Sequence, residues 1–193
     1  MTQATDAGGT APTAEEASDR IVAVTRQWLE KAVIGLKLCP FAAAPFGRDQ
    51  IRYRVSRQRS ADGLAEELAE ELLYLQAADP QRCETSLLIH PDALTDFADY
   101  NQFLGDADAM LAKLDLRGEL QVASFHPNYE FAGSAPNDVE NCTNRSPYPM
   151  LHLLRETSVA QAVSRYAAIE EIGTRNMATL RELGHDGWRE LLR

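Results

Sequence analysis

The side chains best suited to chemistry lie in three short stretches: Cys39 in GLKLCPFA, His126 and Tyr129 in ASFHPNYEFAG, and Asn144, Arg145, Ser146, His152 and Glu156 in NRSPYPMLHLLRE. His152 and Glu156 are four residues apart, so on a helix both side chains stand on one face. Imidazole nitrogen and carboxylate oxygen are common first ligands of a divalent metal. His126 would supply a third ligand and leave a position open for water or substrate. Without a metal, the same three residues offer acid–base chemistry. The alternative is a His–Glu pair that only steadies a short helix.

Cys39 offers a nucleophile if a histidine such as His126 folds over it, because the thiol otherwise stays protonated near neutrality. Buried away from such a partner it is a small apolar side chain. Asn144, Arg145 and Ser146 gather amide, guanidinium and hydroxyl donors just before an expected helix start, a set suited to a carboxylate or phosphate, with Tyr129 beside them as a further substrate-binding residue. Equally, Asn144 or Ser146 caps that helix and Arg145 faces water.

These residues need elements to position them. A helix capped at Ser18 or Asp19 is expected to run to just before Pro40, with Ile21, Trp28, Leu29, Val33 and Leu36 on its apolar stripe. Ile51–Val55 alternates apolar and charged residues as a half-buried strand does, with Arg52 and Arg54 on one face. Leu64, Leu68, Leu72 and Leu75 mark a helix, 85–90 a buried strand, Phe97 to Leu114 another helix, and 120–126 a third strand.

The spacing predicts an α/β domain, with α+β as the alternative, built on a small, mainly parallel sheet of about three strands. Helical segments stand at both ends. If the strands are neighbours joined by helical crossovers, His90 and His126 end at the same sheet edge, where open α/β sheets bind ligands. Residues 127–149 form a loop of roughly two dozen residues, far above the usual connection length of about 4–6, and their aromatic and proline content argues for order and function. Pro149 suits a helix start, so a short helix is expected over 150–156, then a helix from Ser158 to about Ile172 closed by Gly173, and a further one near 175–183.

Length and a 45% hydrophobic content fit one globular domain over 18–193 behind a disordered tail at 1–17. The net charge of −10 argues against a general nucleic-acid binder. No run of residues has the length and hydropathy of a membrane helix, and no secretory signal is evident. Three sparse cysteines fit a reducing cytoplasm. Glycine motifs for nucleotide phosphates and the G-x-S-x-G elbow of serine hydrolases are missing from the sequence.

Taken together, the three stretches resemble the bacterial family labelled domain of unknown function 1415, over about residues 18–168. The resemblance implies no reaction. It does imply that Cys39, His126, Tyr129, Asn144, Arg145, His152 and Glu156 fall in the family's recognisable blocks, whereas His90 does not and is set aside. The expected function is an enzyme acting on a small anionic molecule, held by Asn144 and Arg145 and processed by His126, His152 and Glu156. The alternative is a binding or assembly protein in which these residues are structural.

Overall fold

Thr13 and Glu16 start the first helix with a reciprocal capping box, the Thr13 hydroxyl accepting from the Glu16 N–H and the Glu16 carboxylate from the Thr13 N–H. The computed structural model describes residues 13–165 and 170–193. Helix α1 (Ala14–Trp28) therefore begins ahead of the expected caps, and Ser18 instead donates to the Ala14 carbonyl inside it. A π-helical turn, Leu29–Ile34, extends it and buries Leu29, Ala32 and Val33. The chain then turns through Lys37 in the left-handed region (φ 56°) and lays the Cys39 segment and the short helix α2 (Ala43–Gly47) over the sheet.

Strands β1 (Ile51–Val55), β2 (Thr85–Ile89) and β3 (Leu120–Phe125) alternate with α3 (Ala61–Ala77) and α4 (Phe97–Lys113), as the periodicity predicts. A fourth strand, β4 (Met150–Arg155), corrects the expected helix at that place. The sheet order is β1-β2-β4-β3. β1 and β2 pair in parallel, while β4 runs antiparallel to both neighbours, so β1, β2 and β3 still share one direction.

Both faces of this sheet are covered, which is why β4 lacks a polar alternation. Leu151 and Leu153 join Leu88 and the fully buried Leu64, Leu68 and Leu72 of α3 in one core. Met150 joins Leu87, Ile89, Trp28 and Val33 in the other. Pro149 can precede a strand as readily as a helix, since a first strand residue loses no ladder bond. On the α3 face, Arg52 and Arg54 are not an exposed stripe. Arg52 makes two bonds to Glu71, at 2.9 and 3.0 Å, and Ser86 donates to the same carboxylate at 3.0 Å.

Beyond β4, α5 (Glu156–Arg165) starts two residues before the expected Ser158 cap. The expected end near Ile172 is not found, because Gly173 lies within α6 (Glu170–Leu191), and residues 166–169 lie outside the described residues. Gly184, at φ 65° and ψ 175°, breaks α6 close to the expected end of the last helix. Among the described residues no helix is long and apolar enough to cross a membrane.

Candidate functional site

The structure divides the expected site into two places, on opposite faces of the sheet. His126 comes directly after β3 and turns to the α4 side, its ring 5.0 Å from that of Tyr100 and 5.4 Å from that of Phe97. His152 sits in the middle of β4, opposite Leu87 and Ala123, and faces the Cys39 side. Glu156 lies at the far end of β4, where its carboxylate accepts from the Gly118 N–H at 3.3 Å and its N–H donates to the Glu119 carbonyl. His126 is three residues beyond the partner of His152, about 10 Å along a strand, with the sheet between them. Among the described residues no three His, Cys, Asp or Glu side chains gather to hold a metal ion. The His126, His152 and Glu156 grouping is corrected accordingly: it required a helix where the chain forms a strand.

His126 is fully buried and both ring nitrogens are used. Nε2 lies 3.2 Å from the Leu94 carbonyl, and Nδ1 accepts from the Asn128 N–H at 3.0 Å, which fixes a neutral tautomer with the proton on Nε2. Burial lowers its pKa, the Leu94 and Thr95 backbone opposing. His90, at the end of β2, packs on Tyr100 as well, at 5.8 Å, so the shared sheet edge brings both histidines onto one ring. Burial lowers the His90 pKa from 6.5 to about 4.

The donors expected to hold an anion bond backbone carbonyls within the 127–149 loop and on the strand beside it. Asn144 covers the free edge of β3: its side chain donates to the Ser124 carbonyl at 3.1 Å, and its own carbonyl accepts from the His126 N–H at 3.2 Å. Arg145 donates through Nε to the Tyr129 carbonyl and through a terminal nitrogen to the Pro136 carbonyl. Ser146 donates to the Tyr148 carbonyl. The Tyr129 ring packs on Phe97 and Phe131 at 5.3 and 5.0 Å. Asn141, which is not among the expected site residues, is fully buried and is the hub of the loop. Its oxygen accepts from the Phe131 N–H and the Ser134 hydroxyl, and its nitrogen donates to the Ala135 carbonyl.

On the opposite face, His152 and Cys39 meet the same cavity of about 560 Å³. Its floor is sheet, from Thr85, Leu87, Ala123, Phe125 and His152, and its roof is the segment around Phe41 with α5 on one side. The His152 ring has a defined orientation. Thr85 Oγ lies 2.5 Å from the Leu153 carbonyl, to which only its hydroxyl proton can bond, and 2.8 Å from His152 Nε2. Oγ therefore accepts from Nε2–H, and Nδ1 is left as a bare acceptor. Among the described residues no protein group bonds Nδ1, which is not among the buried unpaired atoms of the core, and the ring lines the cavity. Burial lowers the His152 pKa from 6.5 to about 4.

Cys39 lines the cavity without a hydrogen bond to His152. Burial raises its pKa, and the Phe41 and Ala42 N–H groups only partly offset this. Its thiol is protonated at neutral pH and is a poor nucleophile. Alkylation of Cys39 by iodoacetamide at pH 7.5 should run at least about 10-fold slower than that of a short peptide thiol. A rate equal to or above the peptide's, read by mass spectrometry of the Cys39 peptide, would restore the nucleophile.

No curated protein and no solved structure matches the chain. The sequence model of the family described as "Protein of unknown function (DUF1415)" matches residues 20–190, which include all four strands and both sheet faces, and the chain belongs to that family.

Proposed function

We propose that the protein binds a small molecule in the cavity between the sheet and the Cys39 segment, with His152 on its floor. The observation that carries this reading is a ring nitrogen, in the middle of the inner strand β4, that has no partner among the described residues, on a ring that lines a space of about 560 Å³. Cavities of roughly 300–1,000 Å³ with apolar walls and a few placed polar groups are the usual form of a small-molecule site. Leu29, Phe41, Leu87 and Phe125 supply such walls.

Binding accords with this site better than proton transfer does. A base with a pKa of about 4 holds a proton too weakly to be an efficient acceptor in reactions at neutral pH. Thr85, a neutral hydroxyl, gives no charge to steady an imidazolium as a carboxylate would. Three free cysteines support a reducing compartment such as the cytoplasm.

The test fills the space. Ala123 faces the cavity from β3, so Ala123→Phe adds a ring where the ligand would sit. A neutral naphthylamine dye, fluorescent in apolar surroundings, should brighten with the wild-type protein and lose at least about 10-fold in affinity with the variant. Failure of the wild-type protein to bind the dye, or equal binding by both proteins, would overturn the reading.

A further inference from the structure

The His152 tautomer carries information about the occupant of the cavity, given that the cavity is a binding site as proposed. We infer that the cavity takes an uncharged molecule with an apolar, ring-sized body and a hydroxyl or N–H donor, such as a phenol, which it gives to His152 Nδ1.

The chain of bonds leaves little freedom. Leu153 lies in β4 and its carbonyl accepts the Thr85 hydroxyl at 2.5 Å, so Thr85 has only lone pairs to offer His152 Nε2 at 2.8 Å. Turning the tautomer over would put two lone pairs against each other at 2.8 Å or take the Thr85 proton from Leu153. The backbone of the two central strands therefore sets the polarity of Nδ1, on a ring that lines the cavity. A donor on the ligand satisfies Nδ1. A carboxylate or phosphate oxygen placed there would meet a lone pair instead, and protonating the ring to welcome it is opposed by burial.

The surroundings agree. Phe125 lies 6.1 Å from the His152 ring, centre to centre, and with Leu29, Phe41, Leu87 and Leu154 it presents an apolar surface. The charged residues that line the cavity are Arg48, Arg155 and Glu84. Arg155 donates to the Leu75, Ala78 and Cys83 carbonyls, which leaves one charge of each sign facing no fixed partner among the described residues and gives the lining no strong preference for an anion. On the sheet floor His152 Nδ1 is then a neutral acceptor set beside apolar walls. This arrangement discriminates strongly against an analogue that lacks the donor, because Nδ1 would be covered and left unpaired.

Three probes of one shape test the inference: naphthol, its methyl ether and naphthoate, titrated by calorimetry against the wild-type protein at pH 7. Naphthol should bind at least about 10-fold tighter than the methyl ether and than naphthoate. In His152→Phe the advantage of naphthol over the ether should vanish, and the Nδ1 resonance of wild-type His152 should move on adding naphthol but not on adding the ether.

Equal affinity of naphthol and ether, or tightest binding by naphthoate, would overturn the donor requirement while leaving the cavity as a binding site. If neither these probes nor the naphthylamine dye binds, the binding reading falls with it. The probe series and the resonance use the wild-type chain, so they decide the matter even if His152→Phe does not fold.

Discussion

Tyr100→Phe should lower the free energy of unfolding by about 3 kcal/mol, although it removes a single oxygen atom. The Tyr100 ring is fully buried, and its hydroxyl stands between the two strands at the end where β3 and β4 meet. It accepts from the Phe125 N–H at 3.0 Å and donates to the Met150 carbonyl at 2.9 Å. Phe125 and Met150 are register partners, so the hydroxyl bridges two backbone groups that face one another across the ladder. Phenylalanine would leave both groups buried and unpaired, at about 1–3 kcal/mol each, less whatever the strands recover by closing together. In a protein whose total stability is about 5–15 kcal/mol this is a large share. Urea unfolding at pH 7 with an unchanged slope is the measurement. A loss below about 1 kcal/mol would mean that the strands pair directly and that the bridge is dispensable.

Stability should also fall as the solution is acidified from pH 7 towards pH 4, a decline that begins above the range in which most carboxylates titrate. His90 and His152 both have pKa values of about 4 in the folded chain against 6.5 when unfolded, in each case because burial disfavours the imidazolium. Between those values the unfolded chain binds more protons than the folded one, so stability rises with pH there. The contribution is complete above about 6.5 and is lost progressively down to the folded pKa near 4.

For His90, fully buried and with Nε2 unpartnered, the shift corresponds to about 3 kcal/mol. His152, half-buried and open to the cavity, contributes less. His126, lowered by burial too, acts in the same direction. Urea midpoints at pH 7, 6, 5 and 4 would show the decline, and a flat profile from pH 7 to 4.5 would contradict it. A bound donor ligand on His152 should deepen the decline, since it binds the neutral ring.

Much of the architecture is legible because it is written in periodicity. The leucines at 64, 68, 72 and 75 are all fully buried on one face of α3, and the Arg52 and Arg54 alternation is a true strand. The sequence 150–155 is not legible in the same way. Methionine, leucine and histidine in a short run behind a proline read equally as a helical turn or as a strand covered on both faces, and only the neighbours decide. That one ambiguity carries most of the error at the site. In a helix, His152 would face Glu156, whereas in β4 it faces Thr85, a residue 67 positions earlier whose relevance depends entirely on β2 and β4 being neighbours.

Cys39 and His152 both stand out in the sequence, and they do share a space, but the partnership expected for Cys39 is with His126. The order of the long loop is legible in its aromatic and proline content. Its internal hub, Asn141, carries no signal of that role, because a buried asparagine is defined by the carbonyls and N–H groups around it and these appear in no spacing.

The place of β4 in the sheet has a bearing on how the chain reaches its fold. β1, α3, β2, α4 and β3 are consecutive and form first as chain order goes, yet β2 and β3 are not neighbours, so their assembly leaves a slot one strand wide in the centre of the sheet. The strand that fills it arrives only after the 127–149 loop. Until then two inner edges, each with a full row of unpaired backbone groups, are open to any extended segment within reach. A tight hairpin would have delivered β4 at once, because Phe125 and Met150 are already partners. With so long a connection the last and most central pairing is expected late in folding, when a second copy of the same chain can compete for the slot. Asn144 and Asn141 organise that connection in the finished sheet, and their replacement is expected to slow the closing step as well as to weaken the sheet.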